Sequence, residues 1–404
     1  MNIAEKKEKQ QLDMFFVILF VASAVMVFSV TKQISSVASA AFTGSFVLLV
    51  AWFGKMVLVD GRNHFLAIVF VIVVTSTACV IVSAMLAEEE MSMAYFTDHL
   101  VFLSTILFLF VIMNSEPTQR TCRFILGVNV VVAYIYPISY RFFPQGDKFL
   151  DLYLNFSNPN LAAMWLLQAV LYATVSVLVL QHPVARLMAA VSIPINVWLL
   201  LQTNARNSLV AVALFAVLCG WVIWKRKPHF SKLWIVFINI LPILFVPFYL
   251  AYVEMVVDRG WLDFLVGDGK QLDSRVWIWQ NRFRAIETLW PIGNYAQMGA
   301  NAHNSHMVLL CSYGIIGLVL GTYYLCAVCM EINQNLRSRK NMYALTAFFA
   351  VIFMGLGEGA LFAGGLGIFV PACGFLLLAK CDFGEDKPVT LRWSRKVKTT
   401  AKNQ

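Results

Sequence analysis

The chain has 404 residues, 60% hydrophobic and only 13% charged, with a formal net charge of +9. A soluble globular domain carries about 25% charged residues, so composition excludes that class. The mean hydropathy of +0.72 points to the membrane. The basic excess then reads as membrane topology, since no RNA- or DNA-binding motif accompanies it.

Twelve apolar runs follow in chain order: near 14–31, 34–53, 65–86, 99–114, 122–140, 160–181, 185–202, 208–224, 233–252, 305–330, 343–363 and 365–380. Each approaches the roughly 20 residues needed to cross a hydrocarbon core of about 30 Å. The first is long and lacks a small-residue cleavage site, so it reads as a span and not a signal peptide. With both termini cytoplasmic, 22 of the 31 basic residues fall on inner segments and nine on outer ones. That is the asymmetry of the positive-inside rule. The fold class expected is an all-α polytopic membrane protein of about twelve spans. Residues 1–380 form one transmembrane domain with a larger outer loop at about 253–305 holding interfacial helices. Residues 381–404 are a basic tail suited to anionic headgroups. The eight cysteines are scattered and act as apolar fillers. Cys326 and Cys329 form a CxxC, but on a membrane helix, away from the soluble βαβ setting of a redox pair.

Polar residues at the outer ends carry the chemistry. Ser157-Asn158-Pro159-Asn160 precedes the sixth run. Pro159 suits a first helical turn, and Asn160 caps the helix or binds sugar. Gln202-Thr203-Asn204-Ala205-Arg206-Asn207-Ser208 is a short turn between two runs. Arg206 there either snorkels to the interface or has an anionic partner. Asp273 to Ile286 has helical periodicity with Ser274 as its N-cap. Arg275 and Arg282 share one face. Trp277, Trp279 and Trp290 suit the headgroup level. The bland reading is an interfacial helix whose arginines, Arg284 included, touch lipid phosphates. The sharper one is bidentate capture of a substrate phosphate.

Asn301-Ala302-His303-Asn304-Ser305-His306 then meets the tenth run. Two histidines three apart lack a nearby Cys or carboxylate to complete a zinc site, so no metal and no cofactor is expected. Glu358, in Gly355-Leu356-Gly357-Glu358-Gly359, is an acid at the outer end of a late run. It orients His303, pairs with an arginine for function, or forms a structural ion pair.

These motifs together resemble the O-antigen ligase and polymerase superfamily. The resemblance rests on His303-Asn304 before a helix with Gly314-Ile315-Ile316-Gly317. It also rests on Asn204-Ala205-Arg206-Asn207-Ser208, where Ala205 replaces a small hydroxyl residue. The third element is Ser274-Arg275 with Trp279, then Trp290-Pro291-Ile292-Gly293, one residue closer than the family spacing. Ser157-Asn158-Pro159-Asn160 is similar to the family's start of a mid-chain span. The resemblance implies a GT-C-like membrane glycosyltransferase in a bacterial inner membrane, with its active site periplasmic. Its donor is a glycan on undecaprenyl pyrophosphate, and its acceptor is the lipid A-core oligosaccharide for a ligase or a repeat unit for a polymerase. It implies His303 as general base and Arg206 and Arg275 as neutralisers of the leaving pyrophosphate. Arg282, Arg284, Asn160, Asn304, His306 and Glu358 are the further substrate-binding candidates. The chemistry fits, because displacing pyrophosphate without a metal needs fixed positive charge, and imidazole titrates near neutrality. A polyisoprenoid-glycan transporter is the other class considered. It needs no base at an outer loop, and no internal repeat supports it.

Overall fold

The computed structural model describes residues 3–31, 35–87, 93–142, 159–224, 229–257, 270–297, 302–359, 361–362 and 366–383. Among these residues all regular structure is helical. In order come α1 (Ile3–Thr31), α2 (Ser35–Leu58), α3 (Leu66–Ala87), α4 (Met93–Met113), α5 (Gln119–Phe142), α6 (Pro159–Val179) and α7 (Pro183–Gln202). Then follow α8 (Arg206–Trp224), α9 (Lys232–Val257), α10 (Lys270–Ala285), a 3-10 turn (Tyr295–Gln297), α11 (Ser305–Gln334), α12 (Arg339–Met354) and α13 (Leu366–Lys380).

Each of the twelve apolar runs falls mainly on a helix. Among the described residues ten helices, α1–α9 and α11, are long and apolar enough to cross a bilayer. α12 and α13 are apolar but hold only 16 and 15 residues, fewer than the roughly 20 a spanning helix needs. α12 stops early because Gly355-Leu356-Gly357 follows it, and glycine disfavours helix by about 1 kcal/mol per residue. Glu358 therefore lies in a turn beyond α12 and not on a spanning helix.

Burial sorts the helices into layers. The spanning windows of α6 and α4 are 83% and 72% buried, that of α2 only 11%. α12 packs against α13, α8, α6 and α9 and is covered along most of its length. The outer helices turn Val47, Phe70, Val217 and Phe248 away from the protein. In water that surface would drive association; in lipid it is already in an apolar solvent. The chain is thus a polytopic membrane protein with a helical core around α4, α6, α12 and α13. All eight cysteines are free thiols, Cys326 and Cys329 among them, and seven are buried.

Candidate active site

The site forms where four chain segments meet: the start of α8, the middle of α10, the turn before α11 and the turn after α12. α10 begins at Lys270, so Ser274 lies inside the helix and is not its cap. Trp277 is 67% exposed and Trp290 is also open. Trp279 is fully buried, which corrects its expected place at the headgroups. It packs edge-on against Tyr249 and Phe245 of α9, with ring centroids 5.3 and 6.3 Å away. Its indole Nε1 donates to the Ala302 carbonyl at 2.7 Å. A buried indole needs such a partner. The Trp279 bond thereby pins the residue just before His303.

Arg275 lies one turn before Trp279 on the same face, because helical neighbours recur at four residues. Its guanidinium reaches the Glu358 carboxylate at 3.7 Å. His303 Nδ1 lies 3.3 Å from the same carboxylate oxygen, Oε1. Glu358 is only 3% exposed, and a buried carboxylate is costly unless paired. Both readings of Glu358, orienting His303 and pairing with an arginine, describe contacts that coexist in one carboxylate.

His303 has φ +47, a conformation few non-glycine residues adopt, though histidine does so more than most. Local bonds hold it there. Asn304 caps α11, accepting from the backbone N–H of His306 and Met307, both at 3.0 Å. Its Nδ2 donates to the carbonyls of Pro242 and Leu356. The Ser305 hydroxyl donates to the Glu358 carbonyl at 3.1 Å, and the Ser305 N–H to Gly355 O at 2.9 Å. The histidine and carboxylate turns are therefore clamped to each other by backbone.

The arginine turn joins through Asn207 and not through Arg206. Asn207 Nδ2 donates to Met354 O at 2.7 Å. A Cβ added to Gly357 would sit 2.8 Å from that Nδ2 and 3.2 Å from Arg275 Nη1. Asn207 and Arg275 thus converge on Gly357, next to Glu358. The Arg206 side chain is exposed at the first residue of α8 and, among the described residues, makes no ion pair.

Other sequence candidates fare differently. Arg282 is half-buried, donating to the Gln297 side chain, while Arg284 is exposed. Asn160 is half-buried at the second residue of α6, inside the helix and not its cap. Ser157, Asn158 and Asn301 lie outside the described residues. Asn304 and His306 are fully buried. Asn304 spends its side chain on backbone, and the His306 ring lies edge-on to Phe362. Among the described residues no three His, Cys, Asp or Glu side chains cluster. Sequence reasoning passed over Asn207 and Gly357. The available signal was a polar residue opening an apolar helix and an acid flanked by glycines.

A second device shapes the loop. α11 is broken at Gly314, with φ +64 and ψ −166. The segment Trp290–Asn294 enters the break. Ile315 N–H donates to Trp290 O at 2.9 Å, Ile316 N–H to Pro291 O at 3.4 Å, and Asn294 N–H to Cys311 O at 2.8 Å. Backbone groups freed by the break are therefore satisfied by the loop. The two glycines permit it. A Cβ on Gly314 would stand 2.3 Å from Pro291 backbone, and one on Gly293 2.5 Å from Gly314 N.

Set against known proteins, the chain matches no protein-family model and no curated protein. The functional reading rests on this geometry and on the motif resemblance.

Proposed function

We propose that the chain is a membrane glycosyltransferase of GT-C type with twelve membrane-crossing segments, both termini cytoplasmic and the site on the periplasmic face of a bacterial inner membrane. It transfers a glycan from undecaprenyl pyrophosphate to the lipid A-core oligosaccharide. The observation that carries the reading is His303 Nδ1 at 3.3 Å from the Glu358 carboxylate, beside Arg275. With Glu358 ionised, Nδ1 keeps its proton and Nε2 presents a lone pair. The acceptor hydroxyl gives its proton to Nε2 while its oxygen bonds to the anomeric carbon. The bond from that carbon to the pyrophosphate oxygen breaks, and undecaprenyl pyrophosphate leaves with the electron pair. Direct displacement inverts the anomeric centre. Arg275, whose 3.7 Å contact with Glu358 is longer than a charge-assisted hydrogen bond of about 2.7–2.9 Å, retains donors for the phosphates. Arg206, exposed at the rim, is a second phosphate ligand, with Arg282 and Arg284 further along the loop. Purified protein given the lipid-linked donor with lipid A-core in one reaction and a repeat-unit acceptor in another tests the assignment. Glycosylated lipid A-core supports the ligase. Product only on the repeat unit makes it a polymerase with the same donor chemistry, and no product on either removes the reading.

The arginines need their planar fork. Arg275→Lys and Arg206→Lys keep the charge but lose bidentate geometry, and each is expected to lower turnover by roughly 10²-fold or more. Full activity in both lysine variants would reduce them to point charges or membrane anchors. Metal dependence gives an independent check. Magnesium on a substrate phosphate normally keeps one or two carboxylate ligands. The outer carboxylates of this chain are spread over separate loops or along one long loop, with no Asp-x-Asp pair. Transfer should therefore persist in excess EDTA. Loss on chelation with rescue by magnesium or manganese would contradict the arginine-based mechanism.

A further inference from the structure

One oxygen of Glu358 serves both groups that the transfer reaction needs. Arg275 Nη2 lies 3.7 Å from Glu358 Oε1, and His303 Nδ1 lies 3.3 Å from the same atom. Both distances exceed the roughly 2.7–2.9 Å of a full charge-assisted hydrogen bond. The carboxylate is divided between two partners, and neither has it fully.

The Arg275 fork lies along this turn at both ends. While Nη2 faces Glu358, Nη1 lies 3.2 Å from where a Cβ on Gly357 would stand. A guanidinium recognises carboxylate and phosphate through the same planar pair of donors. An acid within reach of Arg275 therefore competes with any phosphate brought to it. The backbone of that acid is held: the Ser305 hydroxyl donates to Glu358 O, and Ser305 N–H to Gly355 O. The arginine is the partner with room to move, since its side chain is 27% exposed and that of Glu358 only 4%.

We infer that Glu358 is a positioning residue that stands in for the donor phosphate and sets the order of the two substrates. The inference rests on the proposed roles of Arg275 toward the pyrophosphate and of His303 as base. In the empty protein the carboxylate holds Arg275 on the turn. A pyrophosphate donor draws the guanidinium from Glu358 onto its own oxygens. The carboxylate then turns to the His303 Nδ1–H and fixes the ring with Nε2 toward the acceptor. No covalent bond changes in this exchange; one ion pair replaces another. The base is set only once the donor is bound, so the donor precedes deprotonation of the acceptor.

The test measures equilibrium binding of radiolabelled undecaprenyl pyrophosphate to full-length protein in one detergent at constant ionic strength. Undecaprenol, which lacks the phosphates, is the control ligand. Glu358→Gln removes the competing charge and should bind undecaprenyl pyrophosphate about threefold tighter, the scale of a partly exposed ion pair. Its affinity for undecaprenol should not change. In transfer assays the same variant should lower both kcat and the KM for the donor. A purely structural role would weaken binding along with turnover. In an Arg275→Gln background the Glu358→Gln step should leave affinity unchanged, because the contact it relieves is already gone. If Glu358→Gln does not fold, Glu358→Asp takes its place. That acid is one methylene short of Arg275, and tighter binding is again expected. Wild-type transfer together with unchanged or weaker binding by the folded variant overturns the inference and leaves the proposed function standing. So does tightening that persists in Arg275→Gln, which marks general charge repulsion. A wild type that neither binds undecaprenyl pyrophosphate nor transfers glycan removes the proposed function, and the inference with it.

Discussion

Replacing His303 by alanine should lower glycan transfer by roughly 10²–10⁴-fold, the range expected when a general base is removed. The protein should still fold and reach the membrane. The structural bonds of this turn belong to its neighbours: Trp279 holds Ala302 O, and Asn304 and Ser305 hold the surrounding backbone. Alanine also tolerates the positive φ of 47° poorly, at a cost of about 1–2 kcal/mol. The informative comparison is therefore Glu358→Gln, which keeps the side-chain shape and removes the charge. It should lower turnover, because a neutral amide holds the Nδ1–H of the ring less firmly than a carboxylate does. A correctly folded His303→Ala protein with near-normal transfer would eliminate the histidine as base.

The second large effect concerns stability. Gly314→Ala should destabilise the fold by about 2–5 kcal/mol, combining a backbone conformation essentially restricted to glycine with overpacking. The new methyl would stand 2.3 Å from Pro291 backbone, which cannot move without losing the bonds from Ile315 and Ile316. Gly127→Ala is the matched control. Its Cβ would meet nothing within 4 Å on a helix, so the change should lie within about 0.5 kcal/mol of neutral or slightly stabilise. Thermal unfolding of the two variants in one detergent makes the comparison. Similar midpoints would mean that the loop does not depend on the glycine break.

The helices themselves were visible in the sequence, because apolar runs of spanning length need only composition to be seen. Pro159 opens α6 as expected, and the α10 segment was recognised by its period. Its start at Lys270 lies ahead of Ser274, the cap that the sequence offers. Trp279 shows a different limit. An indole on an amphipathic outer helix suits the headgroup level and the interior equally well. Only the cleft between α9 and the Ala302 carbonyl decides between them. The meeting of Asn207, Arg275 and Gly357 joins residues about 150 positions apart and leaves no periodic trace. The conformation of Gly314 is likewise a tertiary fact, since a glycine pair inside an apolar helix more often marks close packing.

The interrupted α11 also sets a height. The part after the break, Ile315–Gln334, has twenty residues and a length of about 30 Å, which by itself equals the hydrocarbon thickness. The ten residues from Ser305 to Gly314 add a pedestal of about 15 Å to that rod. The break turns the axis of the pedestal away from that of the rod, and a tilt of the rod in a thicker or thinner bilayer is therefore expected to move the imidazole less. Transfer should accordingly vary less with the acyl-chain length of the surrounding lipid than in a protein whose reacting group rides on one unbroken rod.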